Sequence, residues 1–271
     1  MSSDSDSKAA TYAGPEWQQA MVEQITAEMR SRLDWYGVPW VTNTTVPNPK
    51  SSTVPTADAD SEGAREVKML DYACGPGMAS HAFLTHVTKI RGIDLSSGMV
   101  TEYNRRAKAL ALPVPEETMH AVRGNLFADV VEPDLDRPEL YGFDFAIANA
   151  AFHHFEDPEL ATKRLVERLK SWNGVLMIVD FLPQEAGGGH GHGHGHGHRH
   201  GHGGVKDAED FYSTSAHTIA HFGFEKGRVV KMFEDAGCVD VDVIVLKKPL
   251  KFGEGADAPE IKAFMGKGRR A

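Results

Sequence analysis

VKMLDYACGPGMAS, Val67 to Ser80, runs a short apolar stretch into an acid, Asp71, and then into a loop carrying Gly75 and Gly77. Closely spaced apolar residues bounded by turn signals read as a buried strand over 67–72, with a helix over 77–87 after the loop. A Gly-rich turn between a first strand and its helix is where doubly wound α/β sheets receive a nucleotide-like ligand, at the carboxyl ends of the strands. Glycine lets the ligand approach the backbone with no Cβ in the way. The G-x-G-x-x-G of dinucleotide sites is incomplete, because Ser80 stands where its third glycine would be. Asp71, just before the loop, would also repel a pyrophosphate and suits a cationic ligand.

Outward from this stretch, strands alternate with helices. Further strands are predicted at 89–94, 119–123, 143–149 and 175–181, with helices over 97–111 and 158–171 between them. The last helix is well bounded: Asp157 as N-cap, Pro158 at its first position, Glu159 in its first turn and Gly174 beyond its end. Strands joined by helical crossovers imply a parallel sheet covered on both faces. A later helix is expected over 227–237. The alternating VDVDV of 239–243 then reads as a strand with one wetter face, and EIKAFMGKGRR returns as a last, antiparallel strand after the turn KFGEGADAP.

The second strand ends in Asp94, 23 residues after Asp71, where a carboxylate accepts ribose hydroxyls at the switch point of such a sheet. The bland alternative, an acid preceding the next helix, leaves unexplained why two successive strands end in acids. The third strand closes in AVRGNLF, where Asn125 and Leu126 would offer one polar and one apolar contact to a base edge, or form an ordinary Gly-Asn turn.

Composition limits the partners. Among 271 residues, 41% are hydrophobic and 25% charged, an ordinary globular balance, and 29 Lys and Arg against 38 Asp and Glu give a net charge of −9. That argues against nucleic acid, whose binding draws on clustered cations; Lys267 to Arg270 is the one small basic run. Two cysteines, Cys74 and Cys238, give no disulfide framework and fit a reducing compartment. No apolar run approaches the roughly 20 residues that span a bilayer. The expected location is cytoplasmic, with a nuclear pool left open.

Residues 1–13 read as a disordered tail. In 14–37, Pro15 suits a first helical position and Trp17, Met21, Ile25 and Met29 recur at spacing four, so an amphipathic helix is expected to pack on something. Residues 38–64, rich in Pro, Thr, Ser and Asp, read as a linker before a domain spanning 65–271. Within that domain GGGHGHGHGHGHRHGHGG, 187–204, reads as a flexible insert. Its histidines could bind zinc, nickel or copper loosely, but a passive spacer is the simpler reading.

Four segments, LDYACGPG, IRGIDLSSGMV, VRGNLF and FDFAIANAAFHHFEDP, resemble in order and spacing the class I S-adenosylmethionine-dependent methyltransferases, most closely small fungal members. The resemblance covers about 65–183, and HFGFEKGRVVKMFEDAGCVDVDV is similar to the late helix and sixth strand of that superfamily. It implies a Rossmann-like, mostly parallel seven-stranded sheet with an antiparallel last strand, and S-adenosylmethionine as cofactor. By position, Asp71 and the backbone of Ala73, Cys74, Gly75 and Gly77 would hold its methionine part. Asp94, beside Leu95 and Met99, would hold the ribose, Asn125 and Leu126 the adenine, and Asn149 with Ala150 the sulfonium side. The chain departs from the family at Ala73, where the loop ordinarily has its first glycine.

The acceptor side is less legible. His153 and His154 follow the fourth strand, where either is placed to take a proton from a hydroxyl, thiol or amine; His154 is favoured. The structural alternative has one packing the loop and the other solvated. A catechol-type magnesium site would need a carboxylate on the fourth strand, where this chain has Asn149, and an Asp-Asn pair after the next strand, where it has Asp180-Phe181, so no catalytic metal is expected. The leading expectation is a methyltransferase acting on O, N or S of a small molecule. The alternatives are a subunit that docks a protein partner through its N-terminal extension and methylates protein, and a cofactor-binding scaffold without turnover.

Overall fold

The structure, a computed structural model, describes residues 14–41, 65–110, 112, 114–183 and 219–271. The expected tail at 1–13, most of the 38–64 linker and the His/Gly insert at 187–204 lie outside the described residues. No helix among the described residues is long and apolar enough to cross a membrane.

Two helices open the chain, α1 (Glu16–Arg30) and α2 (Leu33–Tyr36), followed by β1 (Lys68–Tyr72), α3 (Met78–Phe83), β2 (Lys89–Asp94), α4 (Ser97–Ala109), α5 (Pro115–Thr118) and β3 (Met119–Arg123). The second half runs β4 (Phe145–Asn149), α6 (Pro158–Glu167), β5 (Val175–Phe181), α7 (Lys226–Asp235) and β6 (Cys238–Val245). A short β7 (Leu250–Lys251) and β8 (Glu260–Ile261) then precede β9 (Ala263–Arg270). Seven strands form one sheet in the order β3-β2-β1-β4-β5-β9-β6. β1 to β5 are parallel, and β9 lies antiparallel between β5 and β6. This is the expected mostly parallel sheet with an antiparallel last strand. Its order reverses between β1 and β4, which places the crevice of the switch point at their carboxyl ends.

Alternate residues of the buried strands feed two half-cores. Met69, Ile90, Phe145, Met177 and Met265 face α3 and α4, while Leu70, Ile93, Ala146, Ile178 and Phe264 face α6 and α7. The first crossovers thus cover one face of the β1–β3 side, and the later ones cover the opposite face. On the first face α1, α2 and Trp40 add cover over β4 and β9. Tyr36 lies 5.6 Å and Trp40 5.1 Å from the Phe145 ring, Trp35 Nε1 donates to Asp242 at 2.9 Å, and Lys267 Nζ donates to the Trp35 carbonyl. Here the amphipathic N-terminal helix finds what it packs on: Ile25 and Met29 are buried in the same core as β1. The basic run at the C-terminus is likewise internal to the fold, with Arg269 on Asp240 at 2.8 Å and Arg270 on the carbonyls of Glu167 and Leu169.

Some boundaries differ from expectation. The helix expected to reach 171 ends at Glu167, because the next residues peel away to pair with Phe143: Phe143 N–H donates to Arg168 and Lys170 N–H to Phe143. Phe143 consequently sits in an isolated bridge to Leu169 rather than in β4. In β6 the register slips by one residue between Val239 and Asp242, with Asp240 at φ 52°, so the expected alternation is broken by a bulge.

Candidate functional site

Behind β1 the chain turns through Ala73, Gly75 and Gly77, all with positive φ (52°, 51° and 94°). Ala73 holds a left-handed conformation despite its Cβ, at a cost of roughly 1 kcal/mol, at the position where the resemblance implies a glycine. Cys74 N–H donates to the Ile93 carbonyl and Gly77 N–H to the Cys74 carbonyl, which closes the turn. Gly77, the N-cap of α3, has no side chain to satisfy the free N–H groups of that helix. Asp71 takes over that task from below. Its Oδ2 accepts from Ser80 N–H at 3.0 Å and Ser80 Oγ at 2.7 Å, and Ser80 Oγ lies 2.7 Å from the Tyr103 hydroxyl. Asp71 is only 1% exposed, so the structure places it under the loop rather than on its surface. Burial pushes its carboxyl up to about 7 although the Ser80 hydrogen bonds oppose the shift.

At the end of β2, Asp94 Oδ2 accepts the Gly75 N–H and Oδ1 the Ser96 N–H, both at 2.8 Å. An ionised carboxylate has about four lone-pair sites, so acceptor capacity remains. Leu95 beside it is 64% exposed and Met99 is also exposed, so the apolar side chains expected near the ribose stand open. Asn125 turns its carbonyl back onto Phe127 N–H at 2.9 Å. Leu126 departs from expectation. Its side chain is fully buried in the half-core under α6, and its N–H donates to the Tyr72 hydroxyl, so the chain after Gly124 turns it inward, away from any base edge.

At the end of β4, Ala150 takes φ 49° and its N–H donates to Val179 at 2.7 Å. The Oδ1 of Asn149 is buried with no hydrogen-bond partner among the described residues. A single 3-10 turn, Phe152–His154, follows. It separates the two histidines. His153 is 8% exposed, and its Nδ1 lies 2.9 Å from Asp180 Oδ1 at the end of β5; its N–H donates to Asp180 Oδ2 at 3.2 Å. His154 is half-buried, its ring 4.0 Å from that of His153. The carboxylate contact thus belongs to His153, not to the histidine favoured from sequence. Asp180 is not among the residues that the sequence pattern singles out for the acceptor side. The signal for it was present, because β1, β2 and β5 all end in or beside an acid. Among the described residues no three of His, Cys, Asp or Glu gather as a metal site would require.

Residues 70–176 match the family described as a methyltransferase domain. The fold is that of the class I methyltransferases. Over 178 residues this chain is 29% identical to an uncharacterized methyltransferase of Schizosaccharomyces pombe, covering 66% of this chain and 55% of the relative. It spans about half the length of the curated relatives it matches. Magnesium protoporphyrin IX methyltransferase of Synechocystis PCC 6803, solved with bound SAH, has the same fold, with a TM-score of 0.56 at 10% identity over 97% of this chain and 92% of that one. The YcgJ protein of Bacillus subtilis gives 0.53 at 17% identity over 76% and 92%.

Proposed function

We propose that this methyltransferase binds S-adenosylmethionine at the carboxyl ends of β1, β2 and β4 and transfers its methyl group to an O, N or S atom of a small-molecule acceptor. The observation that carries this reading is the clasp of Asp94 on the Gly75 N–H, which holds the glycine loop against the end of β2. The residues present fit the cofactor. Asp94 keeps acceptor capacity for ribose hydroxyls, and Leu95 and Met99 offer apolar surface beside it. A Cβ added at Gly75 would meet nothing within 4 Å, so the loop has open space on that side. The buried Asn149 Oδ1, without a partner among the described residues, suits a donor or a positive centre. Asp71 supports the loop from beneath.

The sulfonium supplies an activated methyl group, so the residues of this chain have to align the acceptor and remove its proton where it carries one. His153 stands beside the candidate site for that purpose. The small-molecule reading precedes the protein-docking one because α1 has its apolar face against the domain's own sheet. Both cysteines are unpaired and buried, which fits a reducing compartment such as the cytoplasm.

Calorimetric titration of S-adenosylmethionine and S-adenosylhomocysteine into the purified, metal-free protein tests the reading. One-to-one binding at micromolar or tighter affinity is expected. Absence of binding by either ligand overturns it and leaves the scaffold alternative.

A further inference from the structure

We propose that Asp180 is the positioning residue of a general base at His153, and that the acceptor is a planar compound methylated on a neutral hydroxyl. The inference rests on the cofactor reading above and goes beyond it in naming the proton route and the acceptor class.

The Asp180 carboxylate is 1% exposed and fully engaged with its own surroundings. Oδ1 accepts the Phe181 N–H at 2.8 Å and faces His153 Nδ1 at 2.9 Å; Oδ2 accepts the His153 main-chain N–H at 3.2 Å and lies 3.2 Å from Nδ1. An ionised carboxylate only accepts, so the proton of the neutral imidazole sits on Nδ1 and the lone pair is left on Nε2. Nε2 has no hydrogen-bond partner among the described residues and is not sealed off, since a tenth of the His153 side chain remains exposed. The turn that carries the ring is held from the other side as well. The His153 carbonyl accepts Ala220 N–H at 2.8 Å and His221 N–H at 3.0 Å, and the Phe181 ring packs 5.1 Å away. Turn, tautomer and ring plane are therefore set before any acceptor arrives.

This pair lies at the carboxyl ends of β4 and β5, four residues beyond Asn149, on the same edge of the sheet as the cofactor residues. A hydroxyl is the nucleophile that gains most from a base. A carboxylate carries no proton to remove, an aromatic thiol is largely ionised in neutral solution, and an amine attacks through its free lone pair. Phe222 follows His221, whose N–H donates to the His153 carbonyl, and is 81% exposed, an apolar ring that a planar acceptor would cover. As the oxygen forms its bond to the methyl carbon, His153 Nε2 takes the hydroxyl proton, and the electron pair of the breaking carbon–sulfur bond stays on sulfur as a neutral thioether. The imidazolium so formed is paired with Asp180 until it releases the proton to water.

Nitrogen NMR of the labelled imidazole rings, on the full chain at neutral pH, reads the tautomer directly. His153 is expected as the single Nδ1-protonated form, and Asp180→Asn is expected to move it to a mixture while S-adenosylhomocysteine affinity stays unchanged. An Nε2-protonated His153, a ring unaffected by Asp180→Asn, or a parallel loss of S-adenosylhomocysteine affinity overturns the proposal. A wild type that fails to bind S-adenosylhomocysteine counts against the cofactor reading, and the tautomer is still read. Turnover is followed with phenol and thiophenol as probes. His153→Gln and Asp180→Asn are each expected to lower kcat on phenol by about 100-fold, a general-base contribution, and on thiophenol by far less. Equal losses on both probes, or no methylation of phenol by the wild type, overturns the acceptor assignment. Should Asp180→Asn fail to fold, the His153→Gln ratio decides alone.

Discussion

The carboxylate of Asp94 accepts the Gly75 N–H at 2.8 Å, tying the loop after β1 to the end of β2 across 19 residues. Its other oxygen accepts Ser96 N–H, and Ser96 caps α4 by accepting Met99 N–H. One side chain therefore shapes the loop, organises the next helix start and stands as the proposed ribose ligand.

Replacing it removes all three functions. Asp94→Ala is expected to weaken S-adenosylmethionine binding by roughly one to two decades, since a hydrogen bond to a charged group contributes about 1.5–3 kcal/mol. Calorimetric titration of wild type and variant measures this directly. Equal affinity of the two would remove the ribose from Asp94.

The two loop glycines separate stability from binding. A Cβ at Gly77 would lie 3.0 Å from the Tyr103 ring, at a φ of 94° that side chains rarely adopt. Gly77→Ala is therefore expected to cost about 1–3 kcal/mol in urea unfolding. At Gly75 the same Cβ meets nothing within 4 Å. Gly75→Ala should cost about 1–2 kcal/mol for its positive φ, with the larger effect on cofactor affinity because the Cβ enters the space given to the ligand. A Gly75→Ala protein that binds normally would place the ligand elsewhere.

Asp71 gives a pH signature of known sign. Its carboxyl titrates near 7 in the folded protein, against an ordinary value of 3.8, because burial penalises the charge. Between those values the folded state holds a proton that the unfolded state has lost, so this residue makes stability fall as pH rises from about 4 to 7, by on the order of 1.4 kcal/mol per unit. Asp71→Asn keeps an acceptor for Ser80 and removes the titration. Urea unfolding across that range should show wild-type stability declining relative to the variant; parallel curves would refute the buried ionisable role.

The N-terminal helices are expected to be indispensable to the fold. Met29 is fully buried, and Tyr36 donates its hydroxyl to the Met29 carbonyl at 2.9 Å. Met29→Ala should cost about 2–5 kcal/mol. A chain beginning at Arg65 uncovers Phe83 and Phe145 and should bind hydrophobic dyes and lose near-ultraviolet circular dichroism. Retention of the full-length urea midpoint by that truncation would contradict the packing.

The sequence by itself determined the alternation of strands and helices, the glycine loop, the antiparallel return of the last strand and the acids closing β1 and β2. These are written in patterns a few residues long: apolar runs, caps such as Asp157 on Leu160 N–H, and glycine spacing. Only the tertiary structure decided that Asp71 supports α3, that Leu126 points into the core, that α1 and α2 cover the sheet over Phe145, and that His153 rather than His154 meets Asp180. Each of those outcomes depends on residues brought together across the chain: Asp71 with Ser80 and Tyr103, Tyr36 with Phe145, His153 with Asp180. Strand register and crossover side set such meetings, and no local pattern of apolar and polar residues encodes which of two adjacent histidines will face the neighbouring strand.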